Sequence, residues 1–394
     1  MHFGQSLNLR LTFLAMTLGL AHAQKYALSQ DLAGDKFFSA FKYNESAVDF
    51  NNFGNVHFLS QSAAVAANLT YVDSNGRVIV KVDNTTNGAG DPTFGRNTVY
   101  LESNQLMNIG SLLIFDANHI PFGCSVWPSL FTQGQVWPAQ GEIDIIENVN
   151  LETANRFSLH VGSDTCVQPT SIASNQTGTI STADGDISNC TVTPASGQNT
   201  IGCVVTETKP NSFGSGFASQ GGGVFAMLWD TTGIAMWYFG RSSVPSDIGG
   251  TVSPDPTTWG KASAWYPASS CDPTTTFGPQ IITLYVDICG AFAGVPSLFA
   301  STCGSVAPNC SSMVADPTNY NNAYWEINYL RVFTNGDSPA SNASSSGSGS
   351  ASSTSSGAGS ATTGAASAAS FGGAGIRELL LVPASVILLG LLSL

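Results

Sequence analysis

Short runs rich in β-branched and aromatic residues recur along the middle of the chain. They read "GRVIVKVD" (76–83), "NTVYLES" (97–103), "SLLIFDA" (111–117), "RFSLHVG" (156–162), "VFAMLWD" (224–230), "IAMWYFG" (234–240), "QIITLYVD" (280–287) and "YWEINYLRVF" (324–333). Gly, Pro, Asn, Asp and Ser punctuate the gaps, and long amphipathic helical patterns are missing. "DTTG" at 230–233 predicts a hairpin turn between two of the runs. The pattern is that of an all-β protein, a β-sandwich or jelly roll. Residues 24–337 are read as one domain.

Both ends depart from this pattern. Arg10, the apolar "LTFLAMTLGL" (11–20) and the small residues of "AHA" (21–23) predict a secretory signal over 1–23. The alternative, a membrane anchor, meets an apolar run shorter than the roughly 20 residues of a bilayer span. Residues 338–375 are nearly all Ser, Ala, Gly and Thr without a charge, a composition that buries too little apolar surface to fold. They are read as a stalk. Residues 376–394 end in "LLLVPASVILLGLLSL", which predicts a GPI-anchor signal with attachment at Ser367, followed by Ala368 and Ala369. A tail-anchored helix is the alternative. The expected place is the outer leaflet of the plasma membrane and the cell wall.

The eight cysteines lie between these two ends, and an even count in an exported chain predicts disulfides. Cys303 and Cys310 are spaced to close a small loop. Without a CxxC pair, and with His57, His119 and His160 the histidines beyond residue 23, no metal and no cofactor are expected. N-glycosylation sequons stand at Asn44, Asn68, Asn84, Asn175 and Asn342, and less favourably before cysteines at Asn189 and Asn309. A net charge of −13 argues against nucleic acid and suits a neutral glycan. A monomer is expected.

Against a chain only 10% charged, "GEIDIIENVN" (141–150) places Glu142, Asp144 and Glu147 among three isoleucines. On a helix the acids would point near about 0°, 200° and 140° and share no face. On a plain strand Glu142 and Asp144 share a face and Glu147 opposes them. A β-bulge at Ile145–Ile146 puts all three on one face and leaves the isoleucines to the core. Aligned carboxylates raise one another's pKa and cost stability unless used. A retaining glycosidase uses such a pair, one as nucleophile and one as acid then base, with carboxyl groups about 5–5.5 Å apart. An acidic solvent-facing strand and a calcium site are the alternatives. Trp127 and Trp137, each followed by Pro, lie just upstream and offer flat faces to sugar rings. His160 is either structural or turned into the same cleft. Trp229 and Trp325 fit the core.

The motif resembles the bulged E-x-D-x-x-E signature of glycoside hydrolase family 16, the laminarinase-type endo-β-glucanases. "AGDKFFSAFKY", "GCSVWPSLFTQGQVWPAQGEIDIIE", "FSLHVG", "GRSSVPSDI", "SPDPTTWGKASAWYP", "ITLYVDICGAFAG" and "NAYWEINYLRVF" are similar to successive blocks of fungal members, over about 26–333. The resemblance implies a β-jelly roll with a glucan cleft across a concave sheet. It implies Glu142 as nucleophile, Glu147 as general acid/base and Asp144 as assisting carboxylate. Trp127, Trp137 and His160 would line the cleft. The implied activity is endo-1,3(4)-β-glucanase on β-glucan; a transglycosylase and a non-catalytic glucan-binding wall protein are the alternatives. Members often read Cys-Gly-Asp-Trp-Ala-Gly where this chain has Cys289-Gly290-Ala291-Phe292-Ala293-Gly294, and Asn148 stands for a frequent Gly.

Overall fold

The computed structural model describes residues 26–336, except 163–164, 182–187, 193–200 and 252. The signal, stalk and anchor expectations, with Ser367 and Asn342, lie outside the described residues. The strands are β1 (Ala27–Leu32), β2 (Phe41–Tyr43), β3 (Val56–Phe58), β4 (Thr70–Val72), β5 (Val78–Lys81), β6 (Arg96–Thr98), β7 (Tyr100–Ser103), β8 (Ser111–His119) and β9 (Val126–Gly134). They continue as β10 (Glu142–Glu147), β11 (Arg156–His160), β12 (Thr179–Ile180), β13 (Cys203–Thr206), β14 (Gly223–Asp230), β15 (Gly233–Gly240), β16 (Ala264–Pro267), β17 (Gln280–Ile288) and β18 (Tyr324–Thr334). Every predicted run forms a strand, and "NTVYLES" breaks into β6 and β7 at Val99. The hairpin turn is where "DTTG" places it: Asp230 pairs with Gly233 across the β14–β15 ladder, and its Oδ1 accepts from the Thr232 amide at 2.7 Å.

Two eight-stranded antiparallel sheets form, as the all-β reading requires. One runs β16-β15-β14-β8-β18-β5-β4, with β1 on β18; the other runs β12-β13-β11-β10-β9-β17-β7-β2. Their facing sides share one core. Leu130, Ile143, Phe157, Leu159 and Leu284 of the second sheet are buried with Leu113, Phe115, Phe225, Met227 and Trp325 of the first. The Phe157 and Phe225 rings meet 6.4 Å apart, and the Trp325 indole donates across the layer to the Tyr285 carbonyl at 3.3 Å. Trp229 and Trp325 are core residues, 2% and 0% exposed. The expected β-jelly roll sandwich is therefore the fold.

The first sheet is apolar on its other face too. Leu112, Ile114, Ala226, Trp237, Phe239 and Phe333 form a second cluster, covered by Ile248, Trp259 and Ala262 from the segment after β15. Trp259 meets Trp237 and Phe239 edge-on at 5.5 and 5.9 Å.

All eight cysteines are paired, but Cys303 and Cys310 do not join each other. The bonds are Cys124–Cys303, Cys166–Cys271, Cys190–Cys203 and Cys289–Cys310. Cys303 ends a helix (Pro296–Cys303) that folds back onto the start of β9, so its partner is 179 residues away in sequence. Cys289 leaves β17 beside the 310–313 turn. Proximity in the fold decides the pairing, and sequence spacing does not.

Candidate active site

The register of β10 decides where its acids point. Against β9, Glu142 lies opposite Gln133 and Asp144 opposite Phe131. The ladder then skips Ile145, so that Ile146 meets Leu130 and Glu147 meets Ser129. Against β11, Glu142, Asp144 and Glu147 lie opposite His160, Ser158 and Arg156. Directly opposed residues share a face, so the bulge sets all three acids on the side away from the core. Ile143, Ile145 and Ile146 are fully buried. The bulge is held from the side. Buried Asn155 accepts the Glu147 amide on Oδ1 at 3.1 Å and donates Nδ2–H to the Ile145 carbonyl at 3.0 Å. One carboxamide thus satisfies both backbone groups that the skipped residue frees.

Asp144 is the deepest of the three, 1% exposed, whereas Glu142 and Glu147 are half-buried. Its Oδ2 accepts the Ser158 hydroxyl at 2.6 Å and lies 3.1 Å from His160 Nε2. Burial alone would discharge His160, but Asp144 and then the two glutamates override it and lift its pKa to about 9. At neutral pH the ring is an imidazolium set against three acids. Burial, then the Asp144 charge, pushes Glu142 well above the carboxylate range. The same two causes raise Glu147 to about 7; His160, the Trp127 indole and Arg156 pull it back. Burial and Asp144 thus hold a proton on the Glu142–Glu147 pair near neutrality.

Trp127 Nε1–H donates to Glu147 Oε1 at 2.9 Å. Its ring is 7% exposed and meets Tyr285 and Phe292 edge-on at 6.1 and 5.5 Å. It meets the acids as a hydrogen-bond donor packed among aromatics. Trp137 sits in the β9–β10 connection and is 41% exposed. No contact joins its ring to the acids. His160 is in the cluster.

Glu142, Asp144 and His160 also bring one ligand atom each within 4.8 Å of one another. Asp144 Oδ2 and His160 Nε2 of this set already engage each other at 3.1 Å. Asn44, Asn68 and Asn175 are exposed; half-buried Asn84 donates to Asn321 at 2.9 Å.

Several residues of the site were not singled out from sequence: Asn155, Arg156, Ser158, Tyr285 and Phe292. Arg156, Ser158 and His160 occupy every second place of "RFSLH", so period two, once His160 was suspected, carried the signal for the other two. Phe292 packs on Trp127, and the Arg156 guanidinium lies 4.9 Å from its ring centre.

The family model for an XgeA-like catalytic GH16 domain matches residues 41–333. The chain belongs to glycoside hydrolase family 16. It is 32% identical over 317 residues to an endo-1,3(4)-beta-glucanase of Arthroderma benhamiae, covering 80% of this chain and 66% of that one. It spans about half, 49%, of the length of a probable endo-1,3(4)-beta-glucanase of Aspergillus fumigatus. Among solved structures it is similar to Laminarinase 16A from Phanerochaete chrysosporium, described with beta-glucans in donor and acceptor sites. That match has a TM-score of 0.71 and 32% identity, over 79% of this chain and 100% of that one. An elongating family 16 beta-1,3-glucosyltransferase matches with a TM-score of 0.69 and 34% identity, over 78% of this chain and 100% of that one.

Proposed function

We propose that this family 16 domain is an endo-1,3(4)-β-glucanase that cleaves β-glucan by double displacement with retention. The observation that carries the reading is the bulged β10. It sets Glu142, Asp144 and Glu147 on one face away from the core, where burial and the Asp144 charge hold a proton on the glutamate pair near neutrality. A proton kept near neutrality is what a general acid needs. Glu147 gives that proton to the glycosidic oxygen as Glu142 attacks the anomeric carbon, forming a glycosyl-enzyme ester and releasing the leaving chain. Glu147, now a carboxylate, takes a proton from water as the water displaces Glu142. Asp144, fixed by Ser158 and His160, hydrogen-bonds Glu142 and orients it.

Glu147→Gln tests this with an activated aryl β-glucoside, whose leaving group needs no proton. The aryl group is released, the glycosyl-enzyme accumulates, and added azide yields a β-glycosyl azide. An α-azide product would overturn the assignment. Likeness to the glucosyltransferase supports a second reading, in which another sugar in place of water accepts the glycosyl group. Product analysis on laminarin with and without an acceptor sugar separates the two. The non-catalytic alternative predicts loss of the acids, and all three are present.

Four disulfides support export of the chain. In this reading residues 1–23 are removed, 24–337 form the catalytic domain, 338–375 hold the stalk and the attachment region, and the chain after Ser367, with the hydrophobic 376–394, gives way to a GPI anchor. Release from membranes by a phosphatidylinositol-specific phospholipase checks the anchor.

A further inference from the structure

The covered outer face of the first sheet stays open at one end. The segment that roofs it passes over Trp237 and Phe239 through Trp259, then turns into β16 at Ala264. Beyond that roof the cross-strand row Leu228, Ala235 and Trp265 continues outward, with Leu228 and Trp265 only half-buried. Here lies a groove of about 360 Å³ with Leu228, Ala235, Trp237 and Trp265 on its walls and Lys261 and Asn175 at its rim. Its surface is mostly apolar, and nothing in the described protein fills it.

Asn175 opens the sequon Asn175-Gln176-Thr177, and it is exposed. The segment that carries it is pinned to the groove. The Thr177 and Gly178 amides donate to the Ala262 and Ser263 carbonyls at 2.9 and 2.8 Å. Lys261 Nζ donates to the Ser174 carbonyl at 2.8 Å, and the Trp265 amide to Gln176 Oε1 at 3.0 Å. A sugar on Asn175 Nδ2 therefore starts from a pinned segment at the groove that Trp265 also lines, and little ordering entropy opposes its seating.

We propose that Asn175 carries an N-linked glycan whose first N-acetylglucosamine lies in the Leu228–Ala235–Trp265 groove and completes the roof of the outer face. The C–H face of a pyranose is apolar and suits an indole and a leucine. Its hydroxyl and acetamido groups point out to water and to Lys261, which keeps further donors after serving Ser174. The glycan is then part of the fold. This rests on the export reading, because only an exported chain meets the glycosylation machinery.

The test uses the full chain secreted from a eukaryotic host. Glycopeptide mass spectrometry should find Asn175 occupied. Endoglycosidase trimming to a single N-acetylglucosamine should leave Tm unchanged, whereas Asn175→Gln should lower it by about 2–4 °C. In a Trp265→Ala background Asn175→Gln should cost nothing more, since the two groups act through one contact. If Trp265→Ala does not fold, nuclear Overhauser transfer between the acetamido methyl and the Trp265 ring in the trimmed protein gives the same information. Hydrolysis of laminarin should not change in Asn175→Gln. Occupied Asn44 or Asn68 with a bare Asn175 would overturn this inference alone. Glycan-free protein at every sequon would instead overturn the export reading. An occupied Asn175 with additive effects and no Overhauser transfer would leave the groove to a second copy or a free glucan, and the proposal would fall.

Discussion

Two sheet faces point away from the shared core, and they are built oppositely. The face of β11-β10-β9 presents Ser158, His160, Glu142, Asp144 and Glu147. The outer face of β8-β14-β15 presents Leu112, Ala226, Trp237 and Phe239, and the chain folds back to cover them with Ile248 and Trp259. The first face gathers acids whose charges oppose folding, with Asp144 and Ser158 buried and the two glutamates half-buried. The second gathers apolar area and is roofed. Damage to the first should cost rate, and damage to the second should cost stability.

The largest effect is expected on the first face. Glu142→Gln removes the proposed nucleophile, so turnover of laminarin should fall by a factor on the order of 10⁴ or more. Tm should hold or rise, because one of the mutually repelling carboxylates is gone. Activity near wild type would break the comparison at its centre. Trp259→Ala is the mirror experiment. It strips the roof from Trp237 and Phe239 and should cost about 3–5 kcal/mol in chemical denaturation, with kcat of the folded fraction unchanged. Asn155→Ala should do both kinds of damage. It leaves the Ile145 carbonyl and Glu147 amide unpaired, at about 1–3 kcal/mol, and frees the strand that aims Glu147. Stability lost with kcat intact would show that the bulge holds its shape without Asn155.

The acids were legible because chemistry and periodicity conflict in "EIDIIE". Three carboxylates cannot share a strand face without an extra residue, and the extra residue is there. Asn155 was not legible, because its role depends on the chain returning as β11 beside the bulge. Trp127 was read as a sugar platform, and the structure places it deeper, as a donor to Glu147. The outer-face roof was hidden as well. A strand such as "IAMWYFG", apolar on both faces, reads as wholly internal, and nothing in it tells whether a second sheet or a loop lies above. The Cys124–Cys303 bond joins residues 179 apart, which no spacing argument reaches.

The smallest effect expected is also the finest probe of the first face. Trp127→Phe keeps an aromatic ring between Tyr285 and Phe292 but removes the Nε1–H that donates to Glu147 Oε1. That bond favours the ionised glutamate and so holds its pKa down, against burial and Asp144, at about 7. In the proposed mechanism protonated Glu147 starts the reaction, so kcat/KM should fall as pH rises through about 7 in the unmutated protein. Without the indole donor the proton is held more tightly, and this descending limb should move to higher pH. The linked stability has the same sign. The folded pKa lies above the ordinary value of 4.5, so the contribution is full below pH 4.5 and fades as pH rises through about 7. In Trp127→Phe that fading should still begin near pH 4.5 but run on to higher pH. A limb that stays in place, or moves to lower pH, would mean that the alkaline loss of activity belongs to a group other than Glu147.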